Sequence, residues 1–191
     1  MEEATDEQVR AAFDTNVFGT FNVLRTTLPT LRAQRCGHFV QVTAYRGQSA
    51  APGMGLLASF NYAKEGLGDA LYQELKPLGI HVTMVEPAPS ATGFRDNLDR
   101  APEIADYDQT VREGLKAVRA KGPEHYNQPG PIATAILAAV DADEPPLRLA
   151  TGSVAVNTIR KALQSRLANL EAWEAVSVAV DGDPDRVCPL D

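Results

Sequence analysis

The side chains of this chain that could move a proton are few, and one group of them lies in the segment GLLASFNYAKEGLGDALYQEL, residues 55–75. A phenol has a pKa near ~10 and works at neutral pH only where positive charge stabilises the phenolate. Lys64 could supply such a charge, but the residue four positions before it is Phe60, which has no hydroxyl. We therefore predict that Lys64 is a solvated surface cation and that Tyr62 is a partly buried packing residue.

Metal chemistry has less support. The histidines His38, His81 and His125 are scattered, and no two of them have the spacing of metal ligands. Cys36 beside His38 is too small a cluster to indicate a site. The other cysteine, Cys188, is far away in sequence, so we expect reduced thiols and a cytoplasmic location.

Composition limits the possible partners. The chain has 191 residues, of which 44% are hydrophobic and 23% charged, and this predicts one compact domain. A net charge of −7 without a basic stripe argues against nucleic acid or an anionic membrane as partner. The N-terminus is acidic, so we expect no signal peptide, and no apolar run approaches the roughly 20 residues of a membrane span.

The elements that must position any site alternate along the chain. Apolar residues at helical spacing predict two long helices, over 5–34 and 55–77, and Thr5 with Gln8 predicts a capping box for the first. Pro29 is expected to bend or end that helix. Further predicted elements are strands at 38–44, 80–87 and 147–152, helices at 107–121 and 132–140, and a closing helix containing Val156, Ile159, Leu163, Leu167, Leu170 and Trp173.

This alternation of helices and strands predicts an α/β fold with a mostly parallel sheet. Three strands are few for such a sheet, and a helix precedes them. We expect residues 1–176 to form the domain and residues 177–191 to form a polar, flexible tail.

The segments NVFGTFNVLRTTLPTLRAQRCGHFVQVTA and GQSAAPGMGLLASFNYAKEGLGDALYQELKPLGIHVTMVEP resemble the second half of a classical short-chain dehydrogenase/reductase. The resemblance extends from about residue 2 to about residue 176. It implies a truncated, Rossmann-like doubly wound sheet that lacks the N-terminal nucleotide-binding strands. Family members bind NAD(P)(H) on a glycine-rich turn and transfer a hydride to or from an alcohol or carbonyl carbon, and this sequence contains no such turn.

The resemblance also assigns the family's catalytic positions. Asn16 matches the helix asparagine, although a packing or helix-kink amide is the simpler interpretation. The serine position is Ala44, with the hydroxyl of Thr43 expected to point to the opposite side. The tyrosine position is Leu57 and the lysine position is Asn61. Losing the acid and its supporting cation together predicts that the family reaction is lost.

The segment that touches nicotinamide in the family matches Pro87, Ala88 and Thr92. Ala88 replaces a glycine, so its methyl could crowd the cofactor or require a φ unfavourable to alanine. Thr92 is as readily interpreted as the cap of a short helix. The resemblance thus implies NAD(P)(H), while the residues predict that the chain as given has no cofactor.

Three functions remain open. The first is a degenerate, non-catalytic relative that forms homo-oligomers through helices 5–34 and 55–77, the family's usual dimer interface, and has strand 38–44 as an open edge. The second is an active NAD(P)(H)-dependent oxidoreductase for an alcohol or carbonyl substrate, with the missing half supplied elsewhere. The third is a re-purposed pocket within residues 88–130, which contain Tyr107, His125 and Tyr126.

Overall fold

The computed structural model describes residues 2–98, 100–119 and 126–181. Its centre is a parallel three-stranded sheet in the order β1-β2-β3, formed by β1 (Gly37–Val42), β2 (Ile80–Pro87) and β3 (Arg148–Thr151). Gly37 of β1 pairs with Ile80 of β2, and Met84 of β2 pairs with Arg148 of β3. The predicted α/β fold with a parallel sheet is confirmed.

The helices follow the predicted order. They are α1 (Asp6–Phe13), α2 (Gly19–Gln34), α3 (Gly55–Leu75), α4 (Glu113–Arg119), α5 (Pro129–Val140) and α6 (Ser153–Val178). Single turns of π-helix, 14–18 and 108–112, precede α2 and α4. The predicted capping box is present, because Thr5 Oγ1 accepts from Gln8 N and Gln8 Oε1 accepts from Thr5 N. Pro29 does not end α2, which continues to Gln34.

The core lies between the sheet and the helices α2 and α3. Alternate residues of β2 point to one face of the sheet and pack against Leu24 of α2 and against α3; the buried cluster is Leu24, Leu71, Leu75, Ile80, Val82 and Met84. Gly68 allows α3 to approach the sheet, because a Cβ there would lie 2.5 Å from the sulfur of Met84. The position of α3 against β2 is therefore fixed by close packing.

The closing helix is longer than expected. α6 reaches Val178, and a 3-10 turn continues to Asp181, so the first residues of the predicted tail are helical. The remainder of that tail, with Cys188, lies outside the described residues. Among the helices that the structure describes, none is both long and apolar enough to cross a membrane.

β1 is at an edge of the sheet, as predicted, since β2 is its only strand neighbour within the described residues. The amide of Thr43 donates to the Val85 carbonyl of β2, at 2.8 Å. Alternate residues of a parallel strand face opposite neighbours, so the carbonyl of Val42 points to the unpaired side. Lys64 of α3 reaches this carbonyl, with its Nζ donating at 3.2 Å.

The prediction that Lys64 is a solvated surface cation is therefore wrong. Its side chain is buried, and burial lowers the pKa of its ammonium group, while the charge of Glu65 opposes the shift. The ammonium group also lies 5.6 Å from the centre of the Phe60 ring. A charge turned inward beneath an edge strand is a known means of discouraging edge-to-edge pairing.

We expect the substitution Lys64→Met to change both the pH dependence of stability and the rate of aggregation. In urea denaturation, the free energy of unfolding of the natural protein should rise as the pH approaches 10, because the folded chain gives up the Lys64 proton more readily than the unfolded chain. This rise should be smaller in the variant. Light scattering should show faster aggregation of the variant, because the edge carbonyl loses its cation.

The matched control is Lys76→Met, which removes an exposed ammonium group just after α3. It should leave both the pH dependence and the aggregation rate unchanged. Equal aggregation of Lys64→Met and Lys76→Met would contradict the role assigned to Lys64.

Candidate functional site

The residues singled out by the resemblance lie around the carboxyl ends of β1 and β2, the region where open α/β sheets bind ligands. After β1 the chain forms a 3-10 turn, Tyr45–Gly47, which packs against α3. The π-helical turn 14–18 also contacts α3. The fold therefore brings the elements that contain Asn16, Ala44 and Leu57 to one helix.

Ala44 stands at the serine position and ends the extended backbone, with φ −162° and ψ 156°. Its methyl group can neither donate nor accept a hydrogen bond. Thr43 does not replace it, because the Thr43 hydroxyl is buried and donates to Glu65 Oε1 at 2.6 Å. The Thr43 hydroxyl is therefore occupied by a carboxylate of α3.

Leu57 and Asn61 are one turn apart on α3. Leu57 is half-buried, and its hydrocarbon side chain has no proton to transfer. Asn61 is only 2% exposed, and its Nδ2 donates to the Leu57 carbonyl at 2.9 Å. Its Oδ1 is buried and has no hydrogen-bond partner. The amide is thus turned back onto its own helix, without the charge or the reach of a lysine.

Tyr62 does not compensate for the missing phenol at position 57. It is 39% exposed, more open than predicted, and its hydroxyl accepts from Arg166 of α6 at 3.1 Å. The guanidinium of Arg166 also lies 5.6 Å from the centre of the Tyr62 ring. Tyr62 therefore contacts the closing helix rather than the carboxyl edge of the sheet.

Asn16 is half-buried within the π-helical turn. Its Nδ2 donates to the Ala12 carbonyl at 2.9 Å, and its own carbonyl accepts from Thr20 Oγ1. Both bonds are internal to the run from α1 to α2, the environment expected of a helix-kink amide. π-helical turns are frequent at functional sites, and this one contains the position that matches the family's helix asparagine.

Pro87 is the last residue of β2, and Ala88 and Thr92 lie in the segment after it. Ala88 is 5% exposed, and its amide donates to the Thr151 carbonyl at 3.1 Å. Its φ is negative, so the unfavourable backbone conformation considered for alanine at this position does not occur. Thr92 is exposed, and its Oγ1 accepts from Phe94 N to cap a 3-10 turn at Gly93, as one interpretation of the sequence proposed.

The remaining candidates are dispersed. His38 Nε2 lies 2.9 Å from Thr83 Oγ1, and burial, with a smaller effect of His81, lowers the pKa of His38. Cys36 is a free, exposed thiol. No cluster of three or more His, Cys, Asp or Glu residues suited to a metal ion is present in the described parts of the chain.

The re-purposed pocket lacks an arranged nucleophile in the part that the structure describes. The Tyr107 hydroxyl donates to the Glu2 carboxylate at 2.6 Å, and this bond is the main cause that raises the pKa of Tyr107. Tyr126 is half-buried, and His125 lies outside the described residues. Tyr107 thus serves to tie the chain's N-terminus to the segment before α4.

Sequence reasoning missed a largely buried group of polar side chains in this region, which we call the Glu65 cluster: Thr43, Gln48, Glu65, Glu86 and Arg148. Gln48 Nε2 and Arg148 Nε donate to Glu65 Oε2 at 3.2 and 3.0 Å. The 3-10 turn lies directly on this carboxylate, because a Cβ on Gly47 would be 2.8 Å from Glu65 Cγ. A signal was available in the periodicity, since Glu65 shares the buried face of α3 with Asn61 and Gly68.

Glu86 is the strained member of the cluster. It is 2% exposed, its Oε1 has no hydrogen bond, and Arg148 Nε is 3.7 Å away. Burial, and then the nearby charge of Glu65, raise the pKa of Glu86 to about 7, although Gln48 and Arg148 oppose the shift. Two buried carboxylates thus share one guanidinium, and one of them is close to half-protonated at neutral pH.

This arrangement predicts a pH-dependent stability. The folded chain binds a proton at Glu86 that the unfolded chain releases near pH 4.5, so the free energy of unfolding should fall as the pH rises from about 4.5 to about 7. Above pH 7 the loss is on the order of 1–3 kcal/mol. Glu86→Gln should abolish this fall and be the more stable protein at pH 8, as measured by urea denaturation.

Glu74→Gln, at an exposed position on α3, is the control and should follow the pH profile of the natural protein. A Glu86→Gln variant that is less stable than the natural protein at pH 8 would show that the carboxylate is held as an ion.

The chain is similar to known proteins over most of its length. Residues 1–103 match the family model described as short chain dehydrogenase. The oxidoreductase BOA17 of Botryotinia fuckeliana is 32% identical over 170 residues, which are 88% of this chain and 62% of that protein. The chain therefore spans less than two thirds of the length of this relative.

Solved structures agree with this similarity. A short-chain dehydrogenase from Streptomyces avermitilis superposes with a TM-score of 0.84 and 31% identity, covering 94% of this chain and 66% of that one. Another, from Burkholderia cenocepacia in complex with NADP, has a TM-score of 0.57 and 25% identity over 90% of this chain and 61% of that one. With more than half of its residues matched by the family model and its sheet and helices in the family's order, the chain belongs to the short-chain dehydrogenase family.

Proposed function

We propose that this family member does not perform hydride transfer by the family's acid–base route and acts through contacts with other protein chains. The observation that supports this most directly is the state of Asn61. Its amide is bonded to the Leu57 carbonyl and buried, so no cation stands where the family's lysine supports its acid.

The neighbouring positions support the same proposal. Hydride transfer to a carbonyl requires a proton for the oxygen, and the side chains of Ala44 and Leu57 contain none to give. A positioned acid or base contributes typically ~10²–10⁴-fold to a rate. With the acid, its cation and the hydrogen-bonding serine position all substituted, we expect no useful turnover by this route.

A nicotinamide dinucleotide also fits these residues poorly. The ammonium group closest in sequence to the family position is that of Lys64, and it is occupied by the Val42 carbonyl under the edge strand. The Thr92 hydroxyl is bonded to the amide of Phe94. We infer that these residues do not hold NAD(P)(H), although a relative from Burkholderia cenocepacia has NADP bound.

The surface supports a role in protein assembly. Phe18 and Val23 are 56% and 53% exposed along the run from α1 to α2, which together with α3 is expected to form a homo-oligomer interface. The net charge of −7 continues to argue against nucleic acid and membranes. The free thiol of Cys36 is in keeping with a reducing cytoplasm.

A second candidate is an NAD(P)(H)-dependent oxidoreductase acting on an alcohol or carbonyl compound, with further strands supplied by another polypeptide segment. The similarity to a named oxidoreductase favours it. The unpaired edge of β1 also favours it, because a parallel strand could add there. This candidate needs a source of the proton other than residues 44, 57 and 61.

We expect no saturable NADH or NADPH binding at micromolar concentrations when cofactor fluorescence is followed during titration. We also expect no cofactor oxidation with a panel of ketones and aldehydes. The triple variant Ala44→Ser, Leu57→Tyr, Asn61→Lys restores the family's side chains, and Ser59→Ala is a control at an exposed position of the same helix. If the triple variant gains cofactor binding or turnover, the substituted side chains are the cause of inactivity.

The same assays on the product of the longest reading frame that contains this sequence distinguish the two candidates. Turnover by that protein with its natural residues would overturn our proposal and support the oxidoreductase. Turnover only after the triple substitution would support the proposal and exclude the second candidate.

A further inference from the structure

The outer half of α6 is a helix without a packing partner in the described residues. Every residue from 163 to 178 is exposed, a length of about 24 Å at 1.5 Å per residue. The Arg166 guanidinium connects this half of the helix to the rest of the protein by donating to the Gln48 carbonyl and the Tyr62 hydroxyl. An isolated helix of this length is marginal in water, so its stability must come from packing.

An apolar stripe runs along this helix. At 3.6 residues per turn, five side chains fall within about a quarter turn of one another: Val156, Leu163, Leu167, Leu170 and Val178. The three leucines are 49%, 55% and 63% exposed, respectively. Such a stripe is typical of a helix that packs against another helix.

The charges on α6 are divided between its ends. Arg160 and Lys161 lie in its first half, Arg166 follows directly after its midpoint, and Glu171 and Glu174 lie nearer its end. Glu174 lies within the stripe and Arg160 at its margin. Arg160 donates to Asn157 Oδ1, and within the described residues neither Arg160 nor Glu174 is in an ion pair.

These positions are symmetric about Leu167. Arg160 lies seven residues before Leu167, and Glu174 lies seven residues after it. If a second copy of α6 packs antiparallel with the two-fold axis at Leu167, Arg160 of each copy comes opposite Glu174 of the other. Leu163 and Leu170 then alternate across the same seam, in a self-complementary interface.

A groove adjoins the first half of α6 and is lined in part by the stripe. It runs between β3 and α6 and is lined by Ala150, Val156, Ile159, Arg160, Leu163 and Gln164. In the antiparallel arrangement, the apolar and acidic second half of one α6 enters the groove of the other copy. The basic Arg160 at the groove thereby meets the acid that enters it.

We propose that α6 is a homodimerisation helix, and that two copies of this chain pair antiparallel through the stripe centred on Leu167. This interface is separate from the face of α1, α2 and α3 considered above, and it does not depend on whether the chain is catalytic.

The decisive test is disulfide trapping in a background without natural cysteines, Cys36→Ser with Cys188→Ser. Leu167→Cys should form a covalent dimer rapidly on mild oxidation, because the two-fold axis brings its copies together. Val178→Cys lies in the stripe but far from the axis and should not, whereas a parallel pair would link it readily. Ser165→Cys faces away from the stripe and is the matched control.

Charge reversal tests the predicted pairing. Arg160→Glu alone and Glu174→Arg alone should each raise the dissociation constant, measured by analytical ultracentrifugation, by about tenfold or more. The protein with both reversals should recover most of the affinity, because opposite charges again face each other across the seam. Leu167→Glu should abolish the association, and circular dichroism should show whether each variant retains its fold.

The result that would overturn the proposal is equally specific. If Leu167→Cys gives no covalent dimer, or if Leu167→Glu leaves the oligomeric mass unchanged, the stripe does not join two copies. A Leu167→Cys thiol protected from alkylation in a monomeric protein would show that another part of a longer chain covers α6, and would also exclude the dimer.

Discussion

The carboxylate of Glu65 is the point on which the carboxyl edge of the sheet depends. It accepts hydrogen bonds from Thr43 after β1, from Gln48 in the following loop and from Arg148 of β3, while it belongs to α3. Four separate parts of the chain therefore meet at one buried group. A hydrogen bond to a charged acceptor contributes more than a neutral one, and leaving a buried carboxylate unpaired is costly. The loop that begins at Ala44 keeps its conformation because of this network.

Periodicity and turn chemistry predicted most of the fold. The three strands, the long helices and the cap at Thr5 follow from local patterns, and each lies within a few residues of its expected position. Pro29 was expected to bend or end α2, and the helix continues through it to Gln34. The order β1-β2-β3 agrees with the alternation of helices and strands, because parallel neighbours require helical crossovers.

The site is harder to predict, because charged side chains are ordinarily exposed and these are not. Lys64 and Glu65 are adjacent on α3, and both are buried for different reasons. Lys64 lies under an unpaired carbonyl, and Glu65 lies under a turn and an arginine that is 83 residues away in sequence. Neither of these contacts is between residues close in sequence, so only the three-dimensional structure shows what each charged group contacts. The substitutions at positions 44, 57 and 61, in contrast, can be recognised from the sequence alone, since aligning the chain with the family's motif is enough to identify them.

The charged groups described at this edge contact other parts of the scaffold. In a catalytic acid–base system, a cation lies beside a hydroxyl that must gain and lose a proton. Here Lys64 donates to a backbone carbonyl and Arg148 is paired with carboxylates, while burial, and then the nearby charge of Glu65, raise the pKa of Glu86 to about 7. Titration of Glu86 is expected to change the free energy of unfolding, and the side chains of Ala44 and Leu57 have no proton to exchange with a substrate. The polar groups described at the carboxyl edge thus connect separate elements of the scaffold, and exposed apolar side chains lie on the run from α1 to α2 and on α6, and also near this edge at Val42 and Phe94.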